Sequence, residues 1–281
     1  MKHALYLSSA LGACVAASLL APVESVHAED CLLDRDNDGV VDAGSDNDGG
    51  ANSSDVDTRL ACGVGASALG GGSTAIGANS NSSGNDSVAV GRFAESSGAG
   101  SLALGQSAEA IGLASIALGT ADADGDNSIA AGSSAEARGN RSLALGNTAV
   151  ADGELTIALG FQSFAGGLES VAIGADAITE NDAAIAIGGD TTGYTEGCGA
   201  RAWGHWAVAV GGDASASATA ASAFGVRASA TGASSVAIGD GARAEASGAI
   251  GIGGDNLDAD LNGAVASGGE SISIGSESEA R

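Results

Sequence analysis

The sequence predicts an all-β protein, a parallel β-solenoid with coils of about 14 residues, and three observations carry that expectation. The pentapeptide Ser-aliphatic-Ala-aliphatic-Gly recurs along the chain, with closing glycines at 77, 91, 105, 119, 132, 146, 160, 174, 188, 211, 225, 239, 253 and 275. Ten of the thirteen intervals are 14 residues, one is 13, and the remaining two, 23 and 22, are one period plus an insertion. A unit this short has no room for a helical pair, so each repeat must be one coil that contacts only its neighbours. Within the unit, Val88/Val90, Leu102/Leu104 and Val171/Ile173 alternate with Ala at period two, which is strand patterning. The other half alternates as well, with Ala108, Ala135 and Ala242 on one face and Glu109, Glu136 and Arg243 on the other, and glycine marks the corners.

Residues 1–28 read as a secretory signal peptide: Met1-Lys2-His3, an apolar run from Ala4 to about Ala21, then Val26-His27-Ala28 before Glu29. A competing lipoprotein reading at Leu11-Gly12-Ala13-Cys14 is disfavoured because apolar sequence continues past Cys14. The expected compartment is therefore outside the cytoplasm. No later stretch is long and apolar enough to span a bilayer as a helix.

Residues 29–62 form an Asp-rich segment bracketed by Cys31 and Cys62. Asp34, Asp36, Asp38 and Asp42 alternate around Gly39, giving convergent oxygens and a sharp turn, the pattern a calcium loop requires. The twelfth position is Ser45 where an EF-hand needs a bidentate Glu, so the string more nearly resembles a thrombospondin type 3 calcium repeat. A plain solvated acidic linker is the competing reading. Calcium is the one cofactor expected. In an exported protein Cys31 and Cys62 are the expected disulfide, which leaves Cys198 odd.

From 63 to 281 the chain is the repeat region. Its unit, Gly-x-x-Ala-x-Ala-x-Gly-x-x-Ser-Val-Ala-Ile-Gly, closely resembles the head repeat of the YadA-like trimeric autotransporter adhesins over roughly residues 63 to 275. The resemblance implies a left-handed parallel β-roll, three chains side by side as a homotrimer, an extracellular location or one at the bacterial cell surface or outer membrane, and attachment to extracellular matrix, host or other cell surfaces. It is a resemblance to the head alone. The neck, coiled-coil stalk and membrane β-barrel of that family are not expected within these 281 residues, nor is direct membrane insertion by this chain.

Two insertions interrupt the period, within 189–206 and 254–270. The first gathers Tyr194, Trp203, His205 and Trp206, in a chain with only 3% aromatics. Such a cluster marks a candidate ligand-binding loop, because Trp and Tyr offer rigid amphipathic contact area. The alternative is that these rings cover the roll or a neighbouring chain.

Composition narrows the remaining function classes. With 47 Gly and one Pro the core must be thin and aliphatic, and a net charge of −25 argues against nucleic acid as a partner. An enzyme is not expected: His205 is the one histidine after the signal segment, and no Gly-x-Ser-x-Gly elbow has a base to serve it. Adhesion is set against a non-binding structural spacer of the cell surface or matrix. Ice or mineral binding would need a ladder of identical side chains, whereas outward positions such as Glu109, Asp124 and Val150 vary. Assembly depends on which side chains face in. If Ala does, the aliphatic pairs form an external stripe on the order of 65 Å long that neighbouring chains must cover; if the aliphatics do, a monomer suffices.

Overall fold

A computed structural model describes residues 49–54, 58–190, 199–255 and 263–281. Among these residues every regular element is a strand and every pairing is parallel. Except at Ile116–Ala123 and Ile129–Ala137, which run through both columns and pair with their immediate neighbours, each strand pairs with the next but one, so two columns of strands climb the solenoid together. One column holds the three-residue strands such as Val88–Val90, Leu102–Leu104 and Val171–Ile173. The other holds two-residue strands such as Glu95–Ser96, Glu109–Ala110 and Phe164–Ala165. The β-solenoid expected from the period is the fold observed.

Burial decides the inward side. In the long strands the central small residue is buried, Ala in all but Ile250–Ile252 and Ile272–Ile274, where it is Gly251 and Ser273, while the flanking side chains are half-buried or exposed. In each short strand it is again the small residue that turns in, as at Ala110 and Ala165. The interior is therefore a thin stack of alanines, with Ala144, Ala158 and Ala172 in register on successive coils. Where two inward serines face each other they bond locally, whereas the lone inward hydroxyls of Ser73, Ser115, Ser128, Ser142 and Ser235 have no partner among the described residues. Ser101 Oγ lies 2.6 Å from Ser96 Oγ and donates to the Gly98 carbonyl at 2.7 Å, so the hydroxyl is buried without loss of a partner.

The corners explain the glycines. At Gly91-Arg92-Phe93-Ala94 the Ala94 N–H donates to the Gly91 carbonyl at 3.3 Å, and Phe93 is left-handed at φ 59°. Gly91 has φ 139°, and a Cβ there would lie 2.1 Å from the Gly105 carbonyl oxygen one coil on. Backbone meets backbone at this corner, and only glycine allows both the dihedral and the approach. At the other corner, polar side chains tie coils together. The Leu113 N–H donates to Asp126 Oδ1 at 2.8 Å, and the Asp126 N–H donates to Asn140 Oδ1 at 2.9 Å.

The 13-residue coil and the two insertions are local edits of this plan. At 119–132 the missing residue removes a left-handed corner, and strands Ile116–Ala123 and Ile129–Ala137 run on through it with a register shift between Ser133 and Glu136. The first insertion is shorter than the 189–206 read from the sequence. The Ala200 N–H donates to the Gly188 carbonyl at 2.9 Å, and Arg201 pairs with Ile178, so regular coil resumes by Gly199. Likewise the Ala264 N–H donates to the Gly253 carbonyl at 2.9 Å and Val265 pairs with Arg243, which ends the second insertion well before 270. Both insertions leave at the corner that follows a closing glycine.

Candidate functional site

Because both columns turn small residues inward, the roll presents two opposite outer faces. The long-strand face is an apolar stripe. Val88, Leu102 and Ile116 stand in register on it, as do Val171, Ile185 and Val208 farther along. Leu104, Leu118, Leu145 and Ile187 on the same strands are exposed. The exposure follows from the interior: a cavity filled by alanines has no volume for a second aliphatic row.

The short-strand face is charged and segmented. Glu95, Glu109, Asp122 and Glu136 stack on consecutive coils. Val150, Phe164 and Ile178 follow, then Arg201. Beyond them come Ser215, Ser229 and Arg243. Partial burial, with the neighbouring carboxylates Asp122, Glu95 and Asp124, raises the Glu109 carboxyl above its ordinary range. Asp122 is raised as well, by burial and then by Asp124 and Glu136, against a lowering from Arg138. Arg138 pairs with Glu136 and lies 3.4 Å from Asp152, so the ladder is partly neutralised at that end only. Among the described residues, no group of three or more His, Cys, Asp or Glu side chains is placed to hold a metal ion.

The aromatic cluster of the sequence is divided in the fold. Trp203 lies half-buried on the short-strand face with the Arg201 guanidinium 5.4 Å from its ring, a cation–π arrangement, and its carbonyl accepts from Asn181 Nδ2. The Trp203 indole N–H is covered and has no hydrogen-bond partner among the described residues. Trp206 instead occupies a left-handed corner position at φ 57° and is 64% exposed. His205 beside it reaches Asp182, Nδ1 to Oδ2 3.8 Å, and its ring centroid is 6.0 Å from that of Trp206. Tyr194 lies outside the described residues, as do Asp34, Asp36, Asp38, Asp42, Cys31, Cys198 and the signal segment 1–28. Cys62 closes strand Leu60–Cys62 and is disulfide-bonded.

The acid ladder and the apolar step beside it are surface features that the alternation placing Glu109, Glu136 and Arg243 on one face foreshadows only in part. Their signal was present as residues one period apart, Glu95, Glu109, Asp122 and Glu136, and register turns that spacing into contact.

Comparison with known proteins gives a consistent result. No curated protein matches the sequence. The family model described as the YadA head domain repeat matches residues 68–94, 96–121, 123–149, 137–163, 151–177, 165–191 and 230–256, together more than half of the chain. These spans hold the pentapeptide strands, the Ala-lined interior and the glycine corners described above, so the chain belongs to the YadA head domain repeat family.

Proposed function

We propose that this chain is an adhesive head at the bacterial surface, working as a homotrimer whose three long-strand faces meet along a common axis. The YadA head domain repeat is a module of surface-exposed adhesins, and that membership supports the location and the general role. The observation that carries the assembly is the apolar stripe outside an alanine interior. With coils about 4.8 Å apart it extends tens of ångströms, beyond what a soluble monomer ordinarily leaves uncovered. Cyclic closure covers all three stripes at once and leaves the charged short-strand faces in water. In this reading the head attaches to extracellular matrix, host or other cell surfaces through many weak contacts repeated along the roll, and no catalytic step is involved.

The test is the mass in solution, with adhesion read on the same material. Light scattering of the purified chain should return three times the sequence mass, and Val171→Asp, in the middle of the stripe, should prevent assembly. Surfaces coated with matrix proteins or cells should retain the trimer and release the variant. A wild-type monomer that still unfolds cooperatively as β structure would overturn the assembly. A trimer retained by none of the surfaces would leave the spacer reading.

A further inference from the structure

We propose that the short-strand face is a docking surface for a second copy of this chain, laid antiparallel against the first with Phe164 on the two-fold axis. The proposal uses the face opposite the apolar stripe and holds whatever the stripe's own occupant.

The argument is the order of side chains on consecutive rungs. One rung either side of Phe164 stand Val150 and Ile178; two rungs away stand Glu136 and Arg201. Five rungs away stand Glu95 and Arg243. In an antiparallel pair each residue meets the one equally far from Phe164 on the other copy. Glu136 then faces Arg201 and Glu95 faces Arg243, each twice by symmetry. Asp122 and Glu109, the two carboxyls raised by burial and by their acidic neighbours, meet Ser215 and Ser229, whose hydroxyls can donate to them. The apolar step meets itself at the centre.

The neighbouring outward row puts Arg138 opposite Trp203, a second cation–π opportunity. It also brings Asp152 opposite Glu180, the one unfavourable pair, and Arg138 already lies 3.4 Å from Asp152. A parallel arrangement would stack acid ladder on acid ladder and is excluded by repulsion. Within each copy Arg243 is held by Glu245 at 2.8 Å and Arg138 by Glu136, so the cross-copy carboxylates join guanidiniums already fixed in place; the order of charges along the row is what selects a copy as the occupant. Eleven rungs at about 4.8 Å and a strip roughly 10 Å wide bury about 1,000 Å² over the two copies. That is the low end for a specific contact, so the association is weak and reversible.

Sedimentation of the full chain over concentrations up to about 100 μM should show association beyond the basic unit, weaker in high salt. Arg243→Glu should weaken it about tenfold, as two attractive pairs become repulsive. Glu95→Arg should do the same, and Arg243→Gln should act in the same direction while keeping the shape. Mixing the Arg243→Glu and Glu95→Arg proteins should restore association, since each copy then offers what the other lacks. Phe164→Glu should abolish it while the β circular-dichroism signal and the mass of the basic unit stay unchanged. Absence of association by the folded wild type, indifference to the charge reversals, or no recovery on mixing would each overturn the proposal.

Discussion

Replacing Gly139 by alanine tests the close stacking of corners directly. A Cβ at Gly139 would sit 1.9 Å from the Gly153 oxygen and 2.3 Å from its carbon, where ordinary contact begins at 3.4 Å. The two corners must therefore part by about 1.5 Å, because backbone on both sides leaves no flexible side chain to yield. Parting strains the bonds from the Arg138 and Gly139 N–H groups to the Ala151 carbonyl, now 2.9 and 3.3 Å. Two weakened bonds at about 1 kcal/mol each, with about 2 kcal/mol of overpacking, give a loss of about 4 kcal/mol. In a unit of this size that lowers the melting temperature by about 10 °C. Gly100→Ala is the control: it has φ +67° and nothing within 4 Å of the added carbon, so it bears backbone strain alone, about 1 kcal/mol. Thermal and denaturant unfolding followed by circular dichroism measure both. If Gly139→Ala costs no more than Gly100→Ala, close stacking is not what selects glycine at these corners.

The acid ladder predicts a pH effect of definite sign. Glu109 and Asp122 hold their protons more readily folded than unfolded, so stability falls as pH rises from the ordinary carboxylate range through their raised values. Glu109→Gln should accordingly raise the melting temperature at neutral pH and flatten that slope; a lower melting temperature with an unchanged slope refutes the ladder's strain. In the interior, Ala158→Val should cost about 1–3 kcal/mol by overpacking, whereas Ile157→Val on the outer face should cost less than about 1 kcal/mol. Denaturant midpoints compare them, and equal costs would mean the alanine stack has spare volume.

The fold was legible because a solenoid repeats its instructions. Ser-Val-Ala-Ile-Gly at 170–174 carries the inward alanine, the outward aliphatics and the corner glycine together, and each recurrence repeats that information. The insertion boundaries were less legible for a physical reason. Spacing between closing glycines shows that an interval is 23 residues without saying where in it the coil resumes. Arg201-Ala202 obeys the short-strand pattern, and its pairing with Ile178–Thr179 moves Trp203, His205 and Trp206 out of the insertion and into the regular coil. Residues close in sequence were thereby separated, Trp203 to a strand face and Trp206 to a corner. The opposite happened to Glu95 and Glu136, 41 positions apart in the chain and three rungs apart in space.

Every backbone rung in this roll joins one coil to the next, with Asn52 near one end of the stack and Ala280 at the other. Tension applied along that axis therefore loads the rungs in series, one coil after another, as a zipper is loaded. Alone, such a roll would peel from whichever end is gripped, at a force set by a single coil and not by the length of the stack. The aliphatic stripe runs along the same axis, so contacts made across it are loaded in shear and share the force among all coils. What makes a single roll a weak tether is thus what makes a laterally clasped one strong, and its load-bearing capacity grows with the number of repeats.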